Sequence, residues 1–195
     1  AGYKVGPGKY KAVMILEKKT SASTFEIAPD PRNDLTTRYD RQQNMLKEIY
    51  DATNELYGSV NSLRSVRNQL QGIMKNVKGM KNTEKLVEAG EAVIETLSEW
   101  EKSVVSLKLE TFQDVVNFDS GLDADLKELM SKIDGSGPVV SEGSRDRFRD
   151  LMKEWDERKS EFDTMVSKHV DGFNELYREM NIPAVIVKKE KNSPN

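Results

Sequence analysis

Any chemistry on this chain would fall first to its carboxylates. Asp123, Asp125, Glu128, Glu154, Asp156, Glu157 and Glu161 offer many pairs in the second half of the sequence. A glycosidase needs two acidic groups about 5–10 Å apart across a sugar-sized cleft, one to protonate the leaving oxygen and one to act as base or nucleophile. The helical periodicity set out below puts most of these acids opposite an apolar stripe, where water solvates them. The expectation is a charged surface. His169 is the only histidine. A di-iron bundle uses Glu-x-x-His pairs, but Val166 stands three residues before His169, so that motif is absent. His169 falls on the inward register of the last helix and is expected to be a seam histidine bonded to a neighbouring helix; a general-base role would need a nucleophile and an orienting group beside it.

Arg67 is the oddity, because it stands at a seam position within Leu63-Arg64-Ser65-Val66-Arg67-Asn68-Gln69-Leu70. A desolvated, unpaired guanidinium is costly. Arg67 is therefore expected to pair with an acid, or with loop carbonyls near a short helix, and so to fix helix register; the functional alternative is an anion-binding residue. Gly6-Pro7-Gly8 and Gly135-Ser136-Gly137 lack the Lys and the strand–loop–helix context of phosphate-binding loops, and read as turns. Trp100 and Trp155 fall on helical seams and read as core, not as sugar-stacking platforms. With no cysteine, disulfides, thiolate zinc sites and thiol nucleophiles are all excluded. No catalytic, cofactor-binding or metal-ligating residue is assigned, and no cofactor is expected.

The elements that position these residues follow from composition and period. A chain of 195 residues accommodates one ordinary domain with a small appendage. Hydrophobic residues at 36% against 32% charged suit slender helices with narrow apolar stripes. The net charge of −3, with both signs interspersed, lacks the basic footprint of a nucleic-acid binder. No apolar run approaches the roughly 18 residues of a membrane span. The opening Ala1-Gly2-Tyr3-Lys4, with neither initiator Met nor signal peptide, reads as a processed chain or, preferably, as an excised piece of a longer one.

Along the chain, Tyr10 to Leu16 and Thr24 to Ile27 read as short strands, with Lys18 to Ser23 turning between them and Asp30-Pro31-Arg32 closing the segment. An isolated hairpin is marginal in water, so these strands need a partner. From about Asp34 the period changes: Leu46, Ile49, Thr53, Leu56, Val60, Leu63, Arg67, Leu70, Met74 and Val77 alternate steps of three and four. Asp34 or Thr36 can cap this helix and Gly79 can end it. A second helix carries Leu86, Gly90, Val93, Leu97, Trp100, Val104 and Leu107, weakening near Glu110 before a loop at Asn117-Phe118-Asp119-Ser120-Gly121. A short third helix with Leu122, Leu126, Leu129 and Ile133 is expected to close one end. After Asp134-Gly135-Ser136-Gly137-Pro138 a last long helix starts near Ser141 or Ser144. It carries Phe148, Met152, Trp155, Phe162, Val166, His169, Phe173, Leu176 and Met180, and ends at Ile182-Pro183. The predicted fold is mainly α: an antiparallel up-and-down bundle of three long helices and one short, preceded by a short β-hairpin.

Pro7-Gly8-Lys9-Tyr10, Phe25-Glu26-Ile27 and Asp30-Pro31-Arg32 resemble the end of an immunoglobulin-like module. Leu63 to Leu70, Val116-Asn117-Phe118, Asp134-Gly135, Phe173-Asn174-Glu175-Leu176 and Ile182-Pro183 resemble the helical domain that follows such a module in bacterial sortilin-like proteins with BNR/Asp-box repeats, often described as glycosyl hydrolases. The resemblance spans nearly the whole chain and departs at Asp119-Ser120, where that family usually has Pro-Ile. It implies residues 1–32 as the last strands of a truncated sandwich, 33–187 as the helical bundle and 188–195 as a disordered tail. It implies export, and a non-catalytic C-terminal module that packs against the parent's N-terminal propeller or another protein. No catalytic residue of the family carries over, because its hydrolase-like or ligand-binding activity would sit in the propeller. The alternatives are a carbohydrate-active module using surface carboxylates, and a freestanding helical assembly protein. Bare edges on the hairpin also raise homodimerisation through it.

Overall fold

A computed structural model of the chain describes residues 2–32, 36–108, 120–183 and 185–186, with residues 36–38 described by backbone alone. The expected cap at Asp34, the fading pattern at Glu110, most of the loop at 117–121 and the tail at 188–195 lie outside the described residues. The protein is mainly helical, with an N-terminal hairpin. In order, its elements are β1 (Gly8–Leu16), β2 (Lys19–Ile27), α1 (Thr36–Val77), α2 (Glu84–Val104), α3 (Leu122–Gly135), α4 (Glu142–Met165), a π-helical turn (Val166–Val170) and α5 (Asp171–Glu179).

The chain falls into two compact units. One comprises Ala1–Leu56 and Val105–Asp156, the other Tyr57–Val104 and Glu157–Asn195. The first unit buries Leu46, Ile49 and Leu56 of α1 with Leu122, Leu126, Leu129 and Ile133 of α3 and Leu151 and Trp155 of α4. So α3 supplies a full stripe to this core and is one of its three helices, in place of the end cap expected from its length. Gln42, itself buried, ties α1 to the end of α3 by donating to the carbonyls of Ile133 at 2.8 Å and Gly137 at 2.6 Å. The carbonyls left over at a helix end are thereby satisfied.

The second unit buries Val60, Leu63, Leu70 and Val77 of α1 with Leu86, Val93, Leu97, Trp100 and Val104 of α2, and with Met165 and Phe173. Arg64 meets Glu101 and Met74 meets Gly90, so numbers rise on α1 as they fall on α2 and the pair is antiparallel. Their connection is built as the sequence suggests. Gly79 sits at φ +88, which suits glycine, and Thr83 begins α2 with its carbonyl accepting from the amides of Leu86 and Val87. The Thr83 hydroxyl turns back to the carbonyls of Val77 and Met80. Leu107, placed on the α2 stripe by spacing alone, is half exposed, because the helix stops at Val104.

The last helical stretch departs most from its expected stripe. Leu151 and Met165 are buried where Met152 and Val166 were expected, and both of the latter are half-buried. The π-helical turn at Val166–Val170 closes i→i+5 and inserts one extra residue into the helical path. Phe173 then packs on Gly90: a Cβ there would meet Phe173 at 3.2 Å and the Met74 sulfur at 2.7 Å. At the other end, Ser141 is the N-cap of α4, its Oγ accepting from the Ser144 amide at 3.1 Å.

The hairpin is longer and tighter than expected. Lys19 to Ser23 read as a turn because they are polar, yet they pair as strand: Leu16 faces Lys19, Ile15 faces Thr20 and Val13 faces Ala22. The connection is only Glu17-Lys18, with Glu17 at φ 52, the sense of twist that two-residue hairpins prefer. Ahead of the strands, the Lys4 amide donates to Asp134 at 3.0 Å, Gln43 donates to the Lys4 carbonyl at 3.2 Å, and Tyr3 meets Tyr50 edge-on at 5.8 Å. These contacts moor the base of the hairpin to the helices of its unit.

Two glycines separate sterics from propensity. Gly121 has an ordinary extended backbone, but a Cβ there would lie 2.5 Å from the Ser106 nitrogen and 2.9 Å from Val105 backbone atoms, which cannot swing away. Gly58, exposed within α1, has open space around it. Gly121→Ala is expected to lower unfolding stability by about 1–3 kcal/mol, and Gly58→Ala to raise it by about 0.5–1 kcal/mol, both read from urea denaturation midpoints.

Candidate interaction surface

The structure leaves a large apolar surface uncovered on the hairpin. Residues directly opposite one another share a face of a two-stranded sheet. One face carries Tyr10 with Phe25, Ala12 with Ser23, Met14 with Ser21 and Leu16 with Lys19; the other carries Lys9 with Glu26, Lys11 with Thr24, Val13 with Ala22 and Ile15 with Thr20. Tyr10 and Phe25 stack at 5.8 Å, and the Tyr10 hydroxyl donates to the Gly6 carbonyl at 2.6 Å. Beyond that pair the strands are bare on both sides. Val13 is 52% exposed, Met14 66%, Ile15 71%, Leu16 66% and Phe25 49%. Exposed apolar side chains scattered singly are ordinary, but here five fall close together on one hairpin, Val13 and Ile15 on one face and Met14, Leu16 and Phe25 on the other.

Of the acids considered for catalysis, Asp125 and Glu128 line one surface pocket together with Lys132 and Arg147. Asp125 accepts from Arg147 at 2.6 Å and from the Ser120 hydroxyl at 2.7 Å. Glu128 pairs with Lys132 at 2.6 Å, and Glu161 with Arg158 at 2.9 Å. The Lys132 ammonium holds the Glu128 carboxyl below its usual range by hydrogen bond and charge. Asp156 and Glu157 are exposed and Glu154 is half-buried. Asp123 is the exception to the solvated-face expectation: it is buried in the first turn of α3, where the helix dipole favours an anion, and pairs with Lys127 at 3.3 Å. His169 lies within the π-helical turn, half-buried, and among the described residues its ring makes no hydrogen bond, so the expected tie to a neighbouring helix is not formed. Among the described residues no group of three or more His, Cys, Asp or Glu side chains gathers as a metal set, and no helix is long and apolar enough to cross a membrane.

Arg67 finds an acid, the first of the two structural alternatives. Its Nη2 donates to Glu101 Oε2 at 2.6 Å, and its Nη1 to the Ser98 hydroxyl at 3.1 Å, which itself donates to the Ile94 carbonyl at 2.7 Å. Arg64, one turn earlier, donates from Nε to Glu101 Oε1 at 2.7 Å. Glu101 is 2% exposed, so one buried carboxylate is shared by two guanidiniums across α1 and α2. Sequence reasoning missed it because Trp100 filled the seam step between Leu97 and Val104. The missed signal was that Glu101 lies four residues after Leu97, on the side of α2 that a seam arginine from α1 would reach.

Comparison with protein-family models, with curated proteins and with solved structures finds no match to this chain.

The triad carries a pH signature. Burial pushes the Glu101 carboxyl up, but the hydrogen bonds and charges of Arg64 and Arg67 outweigh it and hold the group below the usual carboxylate range. A depressed folded value means the contribution is fully present above the unfolded pKa of about 4.3 and is lost as pH falls through the folded one. Glu101→Gln is expected to cost about 2–3 kcal/mol near neutral pH, since two cations lose their anion. That gap to the parent should narrow as pH is lowered below about 4. Thermal or urea unfolding of both proteins from pH 7 to pH 3 checks this; a gap unchanged at pH 3 refutes the ionised triad.

Proposed function

We propose that this chain is a non-catalytic accessory module that holds proteins together through its N-terminal hairpin. The observation that carries this reading is the bare apolar cluster of Val13, Met14, Ile15, Leu16 and Phe25 on a two-stranded sheet. Covering such side chains contributes about 25 cal/mol per Å² of apolar area removed from water, and free association has its own entropic cost to meet. The helices support the same reading from the other side. Their apolar stripes fill the two cores, and several of the acids are matched by cations on neighbouring positions.

The resemblance set out above gives the reading its context. The module would stand at the C-terminal end of an exported sortilin-like protein with BNR repeats, with any hydrolase-like activity in the propeller, and its hairpin would pack against that propeller or recruit another protein. In this reading the hairpin is the part that engages.

Hydrogen exchange tests the proposal on the chain alone and on a version extended by the segment encoded upstream of Ala1. The amides of residues 9–26 are expected to exchange quickly in dilute solution of the shorter chain and to be strongly protected in the longer one. Equal, fast exchange in both would remove the hairpin as a contact surface. Turnover of aryl glycosides by the isolated chain, abolished by neutralising one of its acidic pairs, would replace this reading with a carbohydrate-active one.

A further inference from the structure

The two strands of the hairpin differ in kind. Residues 12–16 of β1 run Ala-Val-Met-Ile-Leu, apolar on both faces, whereas residues 19–24 of β2 run Lys-Thr-Ser-Ala-Ser-Thr. A strand that is apolar on both faces has the composition of an interior strand, and a polar one with a lysine at its end has that of an edge strand. β1 therefore has the composition of an interior strand but, among the described residues, pairs only with β2. The two-residue connection adds a geometric constraint. With Leu16 and Lys19 as the pair flanking the turn, the even-numbered residues of β1 turn their N–H and C=O groups to β2, and Lys9, Lys11, Val13 and Ile15 turn theirs outward.

From this asymmetry we infer that the outer edge of β1 accepts a strand, and that its occupant is β1 of a second copy of this chain, antiparallel and centred on Val13. The inference rests on the hairpin being the contact surface and narrows what covers it. Charge selects the register. With Val13 opposite its own symmetry mate, Lys11 pairs with Ile15 in the shared ladder, and Glu17, in the turn just past the strand, comes level with Lys9 of the other copy, so a cation meets an anion at both ends of the shared edge. The other face brings Ala12 against Met14 and Tyr10 against Leu16. The result is a four-stranded sheet with the apolar strands inside and the polar strands at its edges, the order that the compositions require.

Sedimentation velocity over a range of concentrations, on the 195-residue chain and four variants, tests the inference. The parent is expected to show a reversible monomer–dimer equilibrium. Val13→Pro removes an outward N–H without touching the ladder to β2 and should abolish the dimer with helical circular dichroism unchanged. Lys9→Glu and Glu17→Lys alone should each weaken the dimer about three- to tenfold by setting like charges opposite each other. The double variant Lys9→Glu/Glu17→Lys should bind more tightly than Lys9→Glu alone, with a residual loss because position 9 also faces Glu26 within the hairpin, a recovery that no general loss of folding would give. A parent that stays monomeric at every concentration overturns the inference, as does a dimer indifferent to Val13→Pro and to the charge exchange. The longer version used above separates this outcome from failure of the proposed function. If it is monomeric with its hairpin protected, a strand of the same chain holds the β1 edge; the second copy is then excluded while the hairpin remains the contact surface.

Discussion

A helix bearing an apolar residue only at every third or fourth position can bury that stripe against one or two neighbours and no more, and everything in this protein follows from how its narrow stripes are shared out. α1 is the common element. Its seam residues Leu46, Ile49 and Leu56 enter the core of one unit, and Leu63, Leu70 and Val77 enter that of the other. Within each unit three helical segments meet, the smallest number that encloses a stripe from every side. Dense packing then makes each close approach specific, as at Gly90 beneath Phe173 and at Gly121 against the backbone of Val105 and Ser106.

Polar groups enter these cores only where another group completes them. Gln42 is buried because two carbonyls at the end of α3 accept its amide, and Thr83 because it closes the turn into α2. Glu101 is the costliest case, a carboxylate taken out of water and held by Arg64 and Arg67. Such a group adds little net stability over a well-packed apolar residue, but it penalises every alignment of α1 against α2 that leaves the charges unmatched. In a pair of helices with repeating stripes, that penalty discriminates between registers that apolar packing alone would leave close in energy.

The hairpin stands outside this economy of burial. Its base is moored to helices through Lys4, Gln43 and Tyr3, while its apolar strand has water where a core should be. The helical cores are filled by their own residues, and the apolar surface left over lies on a sheet with one interior-type strand, which is why the proposed function is one of association.

The period of the apolar residues was enough to read the helices. Eight of the ten α1 seam positions are buried and the other two, Arg67 and Met74, are half-buried, because a stripe at 3.6-residue spacing has one way to leave water. The two strands were legible from their strand-favouring residues, and so was the need of Arg67 for a partner, with an acid and loop carbonyls both open. Other features depended on partners distant in sequence. The inward place of Glu101 exists only because two arginines more than thirty residues away arrive beside it. The shift from Met152 to Leu151 and from Val166 to Met165 reflects which side of the helix its neighbours press on. The strand Lys19–Ser23 was misread as a turn because polar residues pair as readily as apolar ones once a partner strand lies alongside. Local spacing determined which residues must leave water; only tertiary structure decided what each would meet there, because the cost of burying a charge or closing a gap depends on atoms brought from elsewhere in the chain.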